Sequence, residues 1–182
     1  MKEISLHLLD LIENAAAAGA ARADIAIEED PVTDCLRVSI TDNGRGMPAE
    51  IARDATDPFV TTRTTRTVGM GLALLAGAAE QAGGRVEVMS EPGRGTRIEA
   101  RFQLSHIDRA PLGRIEDTLA AAAVVHPELD LRFSHRGPGG SYEVNLLALA
   151  QETDLCLRRH ASDPHPESHS GPKTPPDNAA PR

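Results

Sequence analysis

The chain has 182 residues, 40% of them hydrophobic and 25% charged, the balance of an ordinary globular protein with room for one domain and a small addition. Net charge is −8 and no basic block exists beyond Arg158-Arg159, so a nucleic-acid surface is not expected. Three Phe, one Tyr and no Trp call for an aliphatic core, and the distant Cys35 and Cys156 form neither a disulfide framework nor a metal motif. Neither a secretory leader nor an 18-residue apolar run is present, so no membrane span is expected and the cytoplasm is the default compartment.

In chain order, Ile4, Leu8, Leu11, Ile12 and Ala15 recur at helical spacing and predict a helix from Glu3 to Ala18, with Gly19 as its C-cap. Glu3, His7, Asp10 and Asn14 form a polar stripe beside the apolar one, and His7 reads as a partly exposed helix residue. Asp10 and Asn14 project from adjacent turns, about 6 Å apart along the axis. A carboxylate there could orient or deprotonate a water, and the amide oxygen is a hard ligand suited to magnesium. Two exposed polar residues on a surface helix would carry the same spacing.

Alternation over Asp24–Glu29 and Leu36–Asp42 predicts two strands, each with one wet face. Asp42-Asn43-Gly44-Arg45-Gly46-Met47 follows directly. A carboxylate at a strand end can accept a hydrogen bond from an exocyclic amine, and glycines let backbone approach a flat ring. An Asx turn leaving the strand fits equally well. Pro48 then opens a short helix over Ala49–Arg53, and the hydroxyl- and Arg-rich stretch from Val60 to Val68 reads as a mobile loop.

A second long helix runs from Met70 to Ala82 and stops at Gly83-Gly84. Gly69 and Gly71 stand at its start, where free helical amides offer a phosphate site, or where they simply punctuate the N-cap. Arg85–Ser90 and Thr96–Leu104 make a hairpin around Gly93-Arg94-Gly95, with Ile98, Ala100, Phe102 and Leu104 on one face. Helices on one face of a mostly antiparallel sheet predict an α+β fold, a two-layer α/β sandwich.

After Leu104, Leu112, Ile115, Leu119 and Ala122 suit an amphipathic helix, followed by a hairpin of Leu129–Phe133 and Tyr142–Leu146 around Gly137-Pro138-Gly139-Gly140. This α-β-β extension is too small for a core of its own. It must pack on the main domain, on a second copy or on a partner. The need for a recognition surface favours the last two, and continuation of the main sheet is the alternative. From His160 onward Pro, His, Ser and Asp dominate, which predicts a disordered tail. The resulting division is 1–106, 107–152 and 153–182.

Neither a Gly-x-x-x-x-Gly-Lys-Ser/Thr loop nor a complete Gly-x-Gly-x-x-Gly occurs, since Leu74 replaces the third glycine after Gly69 and Gly71. The ordered set instead resembles the GHKL superfamily of gyrase-type topoisomerases, heat-shock chaperones, mismatch-repair ATPases, histidine kinases and anti-sigma kinases. Leu9–Ala15 is similar to its N-box, Asp42–Met47 to its first glycine box, Asp57–Arg63 to the opening of the histidine-kinase lid, Gly69-Met70-Gly71-Leu72 to its second glycine box, and Gly93–Thr96 to its third. The resemblance spans residues 5 to 104 and is closest to the histidine-kinase and anti-sigma type.

It implies the Bergerat fold, ATP with Mg2+, and transfer to or regulation of a protein partner. Asn14 would bind the metal, Asp42 the adenine amine, and Gly44, Gly46 and Met47 the backbone beside the base. Thr62, Gly69, Met70, Gly71 and Leu72 would line the phosphates, and Thr96 would support the adenine end. Asp10 falls where hydrolysing members carry a Glu general base, one methylene longer, with Glu13 as the stand-by carboxylate. Arg63 and Arg66 either reach the terminal phosphates or are solvated loop charges. Nine residues between Phe59 and Gly69 leave no space for a long dimer-capping lid, although a homodimer through another surface is compatible with the pattern.

Overall fold

The computed structural model describes residues 3–56 and 70–148. Helix α1 (Ile4–Ala17) forms where the apolar stripe predicts it, and Ile4, Leu8, Leu11, Ile12 and Ala15 are all buried. It ends as expected. Gly19 takes φ +72° and the Ala20 amide reaches back to the Ala15 carbonyl at 3.1 Å, closing the last turn. His7 departs from the expectation and is only 3% exposed. The apolar stripe explains its burial, because position 7 lies one turn after Ile4 and one before Leu11, and α1 is flanked by helices on both sides.

Strands β1 (Arg22–Asp30) and β2 (Cys35–Asp42) make an antiparallel hairpin. Its turn is held by the Asp30 carboxylate, which accepts from the Val32 and Thr33 amides and from the Thr33 hydroxyl. A short helix α2 (Ala49–Arg53) follows, and helix α3 (Met70–Gln81) leads into the hairpin of β3 (Arg85–Glu91) and β4 (Gly95–Gln103). Helix α4 (Ile115–Val125) and strands β5 (Asp130–Gly137) and β6 (Gly140–Asn145) complete the described chain. The sheet order is β3-β4-β2-β1-β5-β6, antiparallel at every step except the parallel β1–β5 pair. With its helices layered on the sheet, this is the two-layer α/β sandwich. Among the described residues no helix is long and apolar enough to cross a membrane.

Of the three destinations open to the extension, continuation of the sheet is the one observed. Strand β5 lies on β1, burying Leu131 and Phe133, while Ile115, Leu119 and Ala122 of α4 join the cluster that contains α1. The link from β4 to α4 also caps α1. The carbonyls of Pro111 and Leu112 accept from the Ile4 and Ser5 amides at 2.9 Å each, satisfying two donors that a helix start leaves open. The stretch 57–69 and the segment after Ala148, with Cys156 and the His-rich tail, lie outside the described residues.

Leu119→Ala is expected to cost about 2–5 kcal/mol in a urea unfolding titration, because the site is sealed by α1 and cannot collapse freely. Truncation after Leu104 removes α4 and both backbone caps of α1 together, and is expected to leave an aggregating remnant by light scattering.

Candidate functional site

The site begins where apolar rows of the sheet give way to a polar one. Across β2, β4 and β3 the register sets Val38 beside Ala100 and Val86, then Ile40 beside Ile98 and Val88. Two residues further along, on the same face, stand Asp42, Thr96 and Ser90. Asp42 is 9% exposed and Thr96 7%. The Asp42 Oδ1 accepts from the Gly44 amide at 2.8 Å, and the Thr96 amide also bonds to this carboxylate. Burial pushes the Asp42 carboxyl above the usual aspartate range, and the two amides pull it only part of the way back.

The first and third glycine turns form one platform above this row. The Arg45 amide donates to the Ala18 carbonyl at 3.0 Å and its guanidinium to the Ala17 carbonyl at 2.8 Å, where the C-terminal end of α1 attracts a cation. The Arg45 carbonyl accepts from the Gly93 amide at 2.8 Å, and the Met47 amide donates to the Ser90 hydroxyl at 2.9 Å. Gly46 sits at φ +64°, and a Cβ there would run into the Glu91 carbonyl. Asn43 turns away from the row, and its Oδ1 accepts from the Ala21 and Arg22 amides at 2.9 Å each. Ser90 is the residue that sequence reading missed. A lone serine near a strand end carries no signal until the register sets it beside Thr96.

A second feature lies where α1 meets α3. A Cβ on Gly71 would stand 2.7 Å from the Asp10 Cβ and 2.8 Å from its Oδ2, so this glycine makes space for the aspartate. The Asp10 carboxylate therefore lies against the first turn of α3, whose leading amides favour negative charge. Asn14 is exposed one turn further along α1. Glu13 is drawn elsewhere, its Oε1 lying 3.0 Å from His126 Nε2 in the extension. Leu72 buries its side chain in the core, leaving its backbone as the part that can meet a ligand. Met70 opens α3; Thr62, Arg63, Arg66 and Gly69 lie outside the described residues.

No cluster of three or more His, Cys, Asp or Glu arranged for a metal occurs among the described residues. Magnesium does not need one where phosphates and waters supply most of its oxygens, and Asn14, exposed on α1, carries an amide oxygen of the kind it takes.

A sheet with helices on one face, two interlocked glycine turns over a buried acid, and a third glycine under an aspartate define a domain of the GHKL ATPase class. Residues 2–106 match the family described as histidine kinase-, DNA gyrase B- and HSP90-like ATPases, and the chain belongs to that family. It is 30% identical over 108 residues to a putative NtrY-like sensor histidine kinase of Rickettsia conorii, covering 58% of this chain and 18% of that protein. It is 32% identical over 167 residues to the DNA mismatch repair protein MutL of Xanthomonas campestris, covering 70% of this chain and 26% of that protein. The chain thus spans less than a third of either curated relative. The MutL ATPase domain of Aquifex aeolicus, solved with ADP, shares the fold at a TM-score of 0.53 and 16% identity, over 87% of this chain and 70% of that one.

Asp42→Asn is expected to leave the unliganded protein at least as stable as the wild type at pH 7 in urea titrations. A carboxyl raised by folding contributes its full stability below the ordinary aspartate range and loses it as pH rises through the raised value. The advantage of the variant should therefore shrink on acidification. The same change should weaken ATP roughly 10- to 100-fold by calorimetry, from the loss of about 1.5–3 kcal/mol for a hydrogen bond to a charged group.

Proposed function

We propose that this chain binds Mg-ATP and uses it to phosphorylate or regulate a protein partner, in the manner of a histidine-kinase or anti-sigma ATP-binding domain. The observation that carries this reading is a pair of carboxylates, each held against glycine backbone. Asp42 sits buried at the strand end under the glycine platform, and Asp10 lies against the first turn of α3. The first suits an exocyclic amine, and the second faces the place where helical amides would draw phosphate.

In this reading Asn14 holds magnesium, which when bound offsets charge on the phosphates. Asp10 accepts the proton of an incoming hydroxyl or imidazole, and Gly71 keeps that carboxylate at the helix start. The tie from Glu13 to His126 supports Asp10, rather than its neighbour, as the working carboxylate. Thr62, Arg63 and Gly69 belong to the phosphate end by their place in the motifs.

A second reading is favoured by the longer MutL alignment, which covers 70% of this chain against 58% for the histidine kinase. It is a nucleotide-dependent binding module or slow ATPase, in which ATP changes the surface offered to a partner or a second copy.

Transfer of label from γ-labelled ATP to a co-purified protein tests the first reading. Asp10→Asn should abolish transfer while nucleotide affinity changes less than about twofold, since size is kept and only the base is lost. Tight ATP binding with no transfer and no effect of Asp10→Asn would decide for the binding module. Asn14→Ala should remove the magnesium-dependent part of ATP affinity with an unchanged melting curve, read by calorimetry with and without the metal.

A further inference from the structure

Ser90 lies outside every motif of the sequence, yet its hydroxyl is the meeting point of the two glycine turns. It accepts from the Met47 amide at 2.9 Å, donates to the Gly95 carbonyl at 3.0 Å, and lies 2.9 Å from the Thr96 hydroxyl. A serine hydroxyl has one proton and two lone pairs. Because an amide can only donate and a carbonyl can only accept, one arrangement satisfies all three contacts. The Ser90 proton goes to Gly95, its lone pairs take Met47 N–H and the Thr96 proton, and nothing is left over. The Thr96 oxygen is then committed as an acceptor toward the site.

We propose that Ser90 is a positioning residue that sets the base preference of the nucleotide site, by holding the Thr96 hydroxyl as an acceptor beside the Asp42 carboxylate. The proposal rests on the adenine-nucleotide reading above. Thr96 and Asp42 are direct cross-strand partners on the same face, both nearly buried, so a ligand reaching this end meets two acceptors side by side. A purine with a 6-amino group brings donors to such a pair. One with a 6-oxo group, as in inosine triphosphate, brings an acceptor and leaves buried lone pairs opposed. Discrimination of this kind is strong where polar groups would be stranded. Without Ser90 the Thr96 proton is free to turn into the site and satisfy the oxo group. Ser90 therefore acts through Thr96 and not by touching the base.

The test is equilibrium binding of ATP and inosine triphosphate to the full chain, by calorimetry, in the wild type, Ser90→Ala, Ser90→Thr, Thr96→Val and the Ser90→Ala/Thr96→Val double variant. The wild type should prefer ATP, and Ser90→Ala should lower the ratio of the two affinities about 3- to 10-fold, the worth of one oriented hydrogen bond. Ser90→Thr keeps the hydroxyl and should keep the ratio. In the Thr96→Val background Ser90→Ala should change the ratio no further, because the group it orients is gone.

A purely structural role for Ser90 would weaken both nucleotides equally and leave the ratio intact, which overturns the proposal. So would independent, additive losses in the double variant. If Ser90→Ala does not fold, an unchanged ratio in Thr96→Val overturns it as well. A wild type that binds both nucleotides alike removes the Asp42 role together with this one, and a wild type that binds neither removes the nucleotide-site reading itself. Binding with preference for ATP, but a ratio indifferent to Ser90, sinks this inference alone.

Discussion

The burial of α1 is the constraint on which the rest of the molecule depends. One face of that helix supplies Ile4, Leu8, Leu11, Ile12 and Ala15 to the core, and the fully buried side chains of β1 and β2 meet it from the sheet. The opposite edge of the same helix carries Asp10 and Asn14, so whatever seats the apolar stripe also aims the polar one. Both ends are tied by backbone. Pro111 and Leu112 carbonyls close the N-terminus, and the Arg45 amide and guanidinium take up carbonyls at the C-terminus. A helix held this way cannot roll or slide without breaking hydrogen bonds at one end, and so the spacing between Asp10 and the start of α3 is kept.

The two faces of the sheet divide the labour. The helix-covered face is apolar until its last row, where it turns into Asp42, Thr96 and Ser90. The other face is laced with charge around Glu99, which is only 6% exposed. Burial tends to raise that carboxyl, but hydrogen bonds from Arg97 and Arg101, with Arg37 nearby, hold it below the usual range. The three arginine side chains are each roughly two-fifths exposed, so the network acts mainly to keep this face wet and in register, and adds modestly to stability. At the end of the covered face the buried acceptors Asp42 and Thr96 meet the backbone of the glycine turns.

The extension alters how the domain reads as a unit. Its parallel strand on β1, its helix against α1 and its loop capping α1 join it to the same sheet and the same core cluster. The Glu13–His126 contact brings it to the residue next to Asn14. That contact also separates the two neighbouring acids on α1. Glu13 is engaged on the α4 side, and Asp10 is left facing α3.

What the sequence determined by itself is everything set by local chemistry. The periods of 3.6 and 2 place α1, β1 and β2 to within two residues, Pro48 marks the start of α2, Gly19 and Gly46 mark left-handed backbone that other residues resist, and the glycine pairs around Asp42 and Thr96 announce turns at strand ends. Periodicity reports which residues share a face of one element and is blind to what covers that face. Only tertiary structure could bury His7, send Glu13 to His126, lay β5 parallel on β1, and set Ser90 beside Thr96. Each of these depends on partners distant along the chain or on register between strands. Such pairings are chosen by the burial of the whole core, a sum over many weak contacts that no short window of residues contains.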